Sequence, residues 1–418
     1  MATEGHPYNL AKLMTNAGYD VIVAGAGPAG SSASIHLARE GFRVLLVEQK
    51  KFPRPKLCGE FISPECKRHF EKLGVAEAMM DFRPATLTET VFYSTRGHHV
   101  TVPSSWFGGT AAFGLSRAVM DDVLLRRAQE CGVTVLERAT ILETLLNVSR
   151  KGAKARREDP AVSGVKLKID GREEVYEAPV TIDATGRARI LSRKLNTGQP
   201  RSKAKLIAFK AHLRKARVAD NTCEIYFYPE GYGGLSSVEG EVSNLCFIIS
   251  AEQVRRHYSN PDAIVRDMVM KNRRAAYTLE HATTESDWLS ASWESFGQQE
   301  PCPATGLLAV GDSASFIDPF TGSGMLMAFE SGELVADVLS RHHGKLDDET
   351  VGAEYTAAYV QKFNSRLRIC GLLRRAAFKP RLAGVGIAIG GLSERLLSRI
   401  ARATRSTKTA DHSPLRAG

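Results

Sequence analysis

A two-layer α/β (α+β) fold is predicted for this 418-residue chain, with a parallel sheet in one domain, an antiparallel sheet in a second, and helices at the C-terminal end. Three stretches predict it: Asp20 to Glu48, Val175 to Arg187 and Gly306 to Ser340. The first and third join a short apolar run to a glycine-containing turn and a helical pattern, which is how a strand of a parallel sheet feeds its helix. The second joins a strand to a glycine turn and a helix start. Between residues 86 and 300 lie several short runs that read instead as antiparallel strands.

The first stretch reads Asp-Val-Ile-Val-Ala-Gly-Ala-Gly-Pro-Ala-Gly and ends in Arg-Val-Leu-Leu-Val-Glu. Val21 to Ala24 and Arg43 to Val47 are strands buried on both faces. Gly25 permits the tight turn, Gly27 lets a pyrophosphate approach the backbone, and Gly30 lets the helix pack on the strand. The helix start offers free N–H groups to phosphate, and Glu48 ends the second strand where an acid can accept ribose hydroxyls. A dinucleotide site is expected.

Lys50 to Ser63 is an ordered loop holding Cys58 between Lys56 and Gly59, followed by a helix from Pro64 to Leu73 with Ser63 as its cap. Thr88 to Val102 supplies strands of the second sheet. Leu115 to Glu130 is an amphipathic helix with Ser116 as cap and Arg117 in its first turn. After a strand at Val133 to Leu136, Leu142 to Lys168 gives two strands joined by the charged tip Arg150 to Asp159. Val175 to Ile182 is one strand leading into Asp183-Ala-Thr-Gly-Arg187, with Asp183 as a candidate cofactor contact.

Leu206 to Leu213, Glu224 to Tyr228, Gly234 to Glu239 and Asn244 to Ser250 form an antiparallel sheet. Tyr226 to Gly234, aromatic and rich in glycine, reads as the wall of an apolar pocket. Ala251 to Arg274 is helical. Leu307 to Val310 is a buried strand with Gly311-Asp312 at its carboxyl end, where such sheets bind ligands. Asp312 can bond the polyol chain of a flavin, and the loop Pro319 to Gly324 aims a long helix at a negatively polarised group.

The seven cysteines are scattered without a C-x-x-C pair, which argues for a reducing compartment and against a disulfide frame or zinc site. Residues 1–18 lack the features of a signal peptide, and the apolar stretch Leu382 to Ser393 is too short to span a bilayer. A cytoplasmic location follows as the expectation. The net charge of +10 is uneven. From Arg366 onward twelve Lys and Arg face only Glu394 and Asp411, so a near-neutral body carries a basic end. Arg395, Arg399 and Arg402, beside a stripe of Leu392, Leu396, Leu397 and Ile400, suit an anionic membrane surface. No recognition helix or aromatic stacking pattern points to nucleic acid.

In this order, the three motifs resemble the p-hydroxybenzoate hydroxylase-like superfamily of FAD-dependent oxidoreductases. The resemblance spans residues 20 to 340. It implies a Rossmann-type FAD-binding domain of 19–85, 111–200 and 300–345, interleaved with a substrate domain of 86–110 and 201–299. A helical segment, 346–405, and a tail, 406–418, complete the chain. The adenosine end of FAD is then expected on Gly25, Gly27, Ala29, Gly30 and Glu48. Cys58, Gly59, Arg117, Asp183 and Gly186 follow, and Gly311, Asp312, Pro319, Gly322, Gly324 and Met325 complete the cofactor set. Arg117 lies in Leu-Ser-Arg-x-x-x-Asp-x-x-Leu, which matches an arginine that contacts FAD in these proteins.

The loop Pro55-Lys-Leu-Cys-Gly-Glu60 is most similar to the geranylgeranyl reductase branch, and Tyr226 to Gly234 to that branch's aromatic segment over the substrate. This implies reduction of alkene bonds in a lipophilic substrate by hydride from flavin N5, with Cys58, Tyr226 and Tyr228 as catalytic residues. The alternative is a monooxygenase hydroxylating an aromatic or polyketide-like ring, and a third reading is a non-enzymatic membrane-binding protein. With one dinucleotide fingerprint, NAD(P)H or another reductant, or an electron-donor protein, is expected to act only transiently. The W-x-W-x-I-P motif of flavin halogenases is absent, so halogenation is not expected.

Overall fold

A computed structural model describes residues 18–147, 161–195, 205–293, 296–346, 349–377 and 393–405. The expected charged tip at 150–159, the apolar stretch up to residue 392 and the tail 406–418 lie outside them. At the centre five parallel strands run in the spatial order Leu307–Ala309, Val180–Asp183, Val21–Ala24, Val44–Val47 and Thr134–Leu136. The first four are buried along their whole length, which is why they read as unbroken apolar runs. Val21, Val23, Val44 and Leu46 pack on one side against the helices Pro28–Arg39, Arg117–Glu130 and Gly324–Arg341. Ile22, Ala24, Leu45 and Val47 pack on the other against a three-stranded antiparallel sheet. That sheet consists of Ala139–Asn147, Ala161–Ile169 and Arg172–Glu177.

The single strand expected from Val175 to Ile182 is therefore two. Arg172–Glu177 belongs to the small sheet and Val180–Asp183 to the central one. Pro179, which has no N–H to donate to a ladder, sits at the break.

The second large sheet has eight strands. Leu206–Arg214, Ser243–Ser250, Gly231–Ser237, Thr222–Tyr228, Glu89–Tyr93 and His99–Pro103 follow one another, with Thr283–Thr284 and Leu289–Trp293 both pairing with Leu206–Arg214. One pair, Thr222–Tyr228 with Glu89–Tyr93, is parallel. The sheet is thus antiparallel apart from the seam where its early and late segments meet. One face packs on short helices through Phe209, Tyr226, Tyr228, Phe247 and Ile249. The opposite face, with Ile225, Phe227, Tyr232, Ile248 and Trp293, meets Leu57, Phe61, Phe316 and Phe320 of the cofactor-side loops.

The helix expected over 251–274 is instead a series of short ones, including Ala251–Arg256, Pro261–Asp267 and Arg273–Leu279. Tyr258 and Ser259 turn left-handed, and the Asn260 and Asn272 side chains cap new starts, so the apolar periodicity is broken by local hydrogen bonding. The earlier helix begins at Cys66, two residues later than Pro64. At the C-terminal end lie Glu349–Ala377 and Glu394–Ala403. No helix among the described residues is long and apolar enough to cross a membrane.

Candidate active site

A cavity of about 460 Å³ runs between the carboxyl ends of the parallel strands and the inner face of the large sheet. At one end it is bounded by the glycine turn. Gly25 adopts φ +103°, and a Cβ there would stand 2.5 Å from the Ala184 carbonyl oxygen. A Cβ on Gly27 would meet only Arg117 Nη2, at 3.7 Å, so this backbone faces open space that a phosphate can fill. Pro28 opens the helix, and Gly27 caps it without a side-chain hydrogen bond, leaving first-turn amides available. Glu48 is engaged by protein donors on both carboxylate oxygens. Its Oε2 accepts from the Ala26 amide at 3.1 Å and Arg54 Nη2 at 3.2 Å, and its Oε1 from the Lys50 amide at 3.0 Å.

Charge continues from there. Arg54 also reaches Asp121 at 3.1 Å, and Asp121 receives Arg117 through both oxygens at 2.8 and 2.7 Å. Burial works against the Arg117 charge, but the Asp121 carboxylate outweighs it and raises its pKa. Lys56 is different: burial, then Arg117, Arg54 and Arg187, push its pKa down. Burial likewise lowers Arg187, whose guanidinium lies 5.1 and 5.4 Å from the Trp293 and Phe316 rings. A polyanion such as a pyrophosphate would relieve this crowding of cations, so the donor set fits FAD. Asp312 lies in the same cavity, its pKa raised by burial against the pull of Arg187, Arg117 and Lys56.

The loop before the long helix Gly324–Arg341 is fixed by remote partners. Asp318 accepts from the Phe320 amide at 3.2 Å and from the Tyr232 hydroxyl, and pairs with Arg374 Nε at 3.1 Å. Arg405 Nη1 donates to the Gly322 carbonyl at 3.1 Å. Gly322 itself is left-handed, at φ +63°. The helix start has no side-chain cap, so its positive end is presented to the cavity.

Of the predicted cofactor residues, Gly25, Gly27, Ala29, Glu48, Cys58, Gly59 and Arg117 line this cavity, as do Gly186, Gly311, Asp312, Pro319, Gly322, Gly324 and Met325. Gly30 lies behind it: a Cβ there would be 1.9 Å from the Gly25 carbonyl oxygen, in keeping with a helix-packing role. Asp183 is corrected. Its carboxylate is wholly buried and turned away, accepting from Thr185, Ser192 and Ser313, so it braces the turn rather than meeting a ligand.

Tyr226 and Tyr228 are corrected as well. Side chains alternate along a strand, and these two point to the far face, away from the cavity. The Tyr226 hydroxyl donates to Glu224 Oε2 at 2.5 Å, and the Tyr228 hydroxyl lies 2.9 and 3.0 Å from the Tyr232 and Ile248 carbonyl oxygens. Their neighbour Phe227, with Tyr232, forms the inner wall. Tyr226→Phe and Tyr228→Phe are therefore expected to leave FAD retention and turnover unchanged while each costs about 1 kcal/mol in unfolding experiments.

The residues missed were Arg54, Lys56, Leu57, Glu60, Arg187, Cys246, Trp293 and Phe316, all at the cavity. Lys56 and Glu60 flank Cys58 in the loop already singled out and so had a signal. Cys246 and Trp293 are ordinary strand residues and had none. Among the described residues no group of His, Cys, Asp and Glu could hold a metal ion.

Residues 20–194 match the family model described as FAD dependent oxidoreductase. The digeranylgeranylglycerophospholipid reductase of Methanosarcina mazei is 27% identical over 76% of this chain and 74% of its own. The 1H-pyrrole-2-carbonyl-(peptidyl-carrier protein) brominase of Pseudoalteromonas luteoviolacea is 25% identical over 77% of each chain. Among solved structures, a flavin-dependent brominase aligns with a TM-score of 0.74, 22% identity, and coverage of 92% of this chain and 93% of that one. A geranylgeranyl bacteriochlorophyll reductase-like protein from Thermoplasma acidophilum aligns with a TM-score of 0.67, 20% identity, and coverage of 94% and 93%. These structural matches speak to the fold.

Proposed function

Residues 20–194 match the FAD-dependent oxidoreductase family, and from that premise we propose that the chain is such an enzyme and reduces an alkene bond of a lipophilic substrate held between Cys58 and the inner face of the large sheet. The observation that carries this reading is the make-up of the cavity's far end. Leu57, Phe61, Trp293 and Phe316 give it apolar walls, and two thiols, Cys58 and Cys246, open onto it. Such a surface excludes water and suits a hydrocarbon chain.

When bound, FAD supplies the hydride, or with dioxygen the activated oxygen. The protein's part is to bind and to move protons. Gly25, Gly27 and the start of the helix Pro28–Arg39 would take the pyrophosphate, with Lys56 a cation lining the same cavity. Asp312 would hold the ribityl chain. The helix start at Gly324 would stabilise negative charge on the ring. Cys58, or a water beside it, would deliver the proton that completes the reduction. NAD(P)H or a donor protein would supply electrons without a dinucleotide domain of its own.

Cys58→Ser is expected to keep its flavin spectrum and lose turnover by about 100-fold, the usual worth of a positioned proton donor. Retained turnover would remove Cys58 from the chemistry. The reaction class is tested by photoreducing the holoprotein and supplying polyprenyl lipids under nitrogen. Saturation of a double bond without dioxygen supports the reductase.

The second reading, oxygenation of an aromatic or polyketide-like ring, draws on the stacked pair Phe296 and Phe316, 4.8 Å apart, with Trp293 edge-on to both. A planar ring would fit against them. Label from isotopic dioxygen in the product would favour it. The halogenating relatives are as similar as the reductases, so the oxygen experiment is run with and without bromide.

We also propose peripheral contact with an anionic membrane through Glu394–Ala403. Leu396 and Ile400 are 45% and 39% exposed there, beside exposed Arg395, Arg399 and Arg402. Arg405 is excluded from this surface, being buried against Gly322 and lying 4.3 Å above the Phe107 ring. Reversing Arg395, Arg399 and Arg402 to Glu is expected to abolish salt-sensitive sedimentation with anionic liposomes while leaving the fold intact. Undiminished sedimentation would refute the contact.

A further inference from the structure

Two residues beyond Cys58 the chain turns left-handed at Glu60, with φ 54°, a conformation uncommon for a residue bearing a Cβ. The turn sends its carboxylate into the core, where it has no solvent exposure. Three donors meet it there. Lys210 Nζ lies 2.6 Å from Oε1, His212 Nε2 lies 2.6 Å from Oε2, and the Arg117 amide donates to Oε1 at 2.9 Å. Burial pushes the Glu60 carboxyl up, but the His212 hydrogen bond and the Lys210 charge outweigh it and hold the pKa below the usual range.

Lys210 and His212 stand two apart on the strand Leu206–Arg214 and so share its inner face. Across the ladder they pair with Cys246 and Asn244. Asn244 donates to the Cys58 carbonyl at 3.1 Å, and the Glu60 amide lies 3.4 Å from Cys58 Sγ. Cys246, its thiol pushed up to about 12 by burial, also feels the charges of Cys58, Lys210, Glu60 and Arg187. The row has a direction. The His212 side chain is 21% exposed and Lys210 only 3%, while Glu60 and Cys58 both line the cavity.

We propose that Glu60 is the inner station of a proton relay from solvent to the flavin cavity, loaded through His212 and held anionic between transfers by Lys210. The inference rests on the FAD reading of that cavity. Reducing a double bond consumes one hydride and one proton. The proton leaves the Cys58 thiol, or a water, as the new C–H bond forms. The thiolate or hydroxide left behind is reprotonated through Glu60, which is anionic at rest and is loaded only for that transfer. Glu60 takes one from the His212 imidazolium, and the imidazole takes one from solvent. No electrons move along the row, and the net uptake is one solvent proton. Glu60 and His212 act through the donor and are positioning residues.

The test needs no substrate. Air reoxidation of the photoreduced holoprotein, which yields hydrogen peroxide, also consumes one solvent proton per flavin. His212→Ala is expected to keep the flavin spectrum and slow this reoxidation by about 100-fold. Millimolar imidazole should restore most of the rate, as a merely structural histidine would not allow. Glu60→Gln should be equally slow and resist imidazole. In the flavin-free protein, Glu60→Gln should speed iodoacetamide alkylation of Cys58 several-fold, since the negative charge of the residue whose amide lies 3.4 Å from Sγ is gone.

Unchanged reoxidation in both variants, or a slow His212→Ala that imidazole does not relieve, would overturn the relay. So would unchanged alkylation in Glu60→Gln. Should Glu60→Gln fail to fold, the part-exposed His212→Ala still decides. A wild-type protein unable to take up FAD would overturn the cofactor reading instead, and the alkylation comparison would still report on Glu60 and Cys58.

Discussion

Gly30→Ala is expected to strip the protein of FAD and to cost about 3 kcal/mol of stability. The added Cβ would lie 1.9 Å from the Gly25 carbonyl oxygen and 3.0 Å from the Ala184 Cβ. The first of these is backbone at a turn already held at φ +103°, so neither atom can swing aside. The helix Pro28–Arg39 must move off the strand, and its first-turn amides move with it. Overpacking a close contact costs about 1–3 kcal/mol, and a backbone clash belongs at the upper end. Flavin absorbance relative to protein, with the thermal midpoint, measures both effects. Gly371→Ala is the control, because a Cβ there meets nothing within 4 Å and the residue lies away from the cavity, in the helix Glu349–Ala377. A yellow Gly30→Ala protein with the wild-type midpoint would contradict the packing argument.

Asp183→Ala is expected to destabilise by about 4 kcal/mol without any loss of direct cofactor contact. Asp183 Oδ1 accepts from the Thr185 amide at 3.1 Å, Thr185 Oγ1 at 2.6 Å and Ser313 Oγ at 3.1 Å. Its Oδ2 accepts from the Ser192 amide at 3.0 Å and Ser192 Oγ at 2.8 Å. Removing the carboxylate leaves donors from three segments in a dry interior, each costing about 1–3 kcal/mol unless it finds another partner. Asp183→Asn keeps one acceptor and should fall between. Titrating FAD into folded Asp183→Asn should give an affinity close to wild type. Lost affinity at an unchanged thermal midpoint would return Asp183 to the cofactor.

These two residues also mark how far the sequence carries. The role of Gly30 was legible because a glycine beside its own strand and turn is a local fact, settled within a few residues. Asp183 was legible as a special position but not as a particular role. A carboxylate at a strand end can turn toward the cavity or back toward the turn, and Ser192 and Ser313, which hold it, lie on other segments.

The tyrosines failed for a different reason. Every residue of Thr222–Tyr228 is buried, so the strand has no polar alternation from which to tell one face from the other. Tyr226, Phe227 and Tyr228 look alike from the sequence, and only the packing assigns Phe227 to the cavity. The long helix expected after Ala251 failed because Asn260 and Asn272 compete locally for backbone donors, an effect that apolar spacing does not reveal.

Short-range structure was therefore fixed by the chain alone: Asp20 to Glu48 as a strand, glycine turn, helix and second strand, Ser116 as a helix cap, Gly311-Asp312 at a strand end, and Cys58 in an ordered loop. Each depends on glycine freedom, capping or apolar run length, which act over a few residues. Tertiary structure decided what spans the sheets. It brought Lys210 and His212 to Glu60, and Tyr232 and Arg374 to Asp318. Strand parity and register set those meetings, and both are properties of the packed sheet, where burial on two faces erases the pattern a sequence could display.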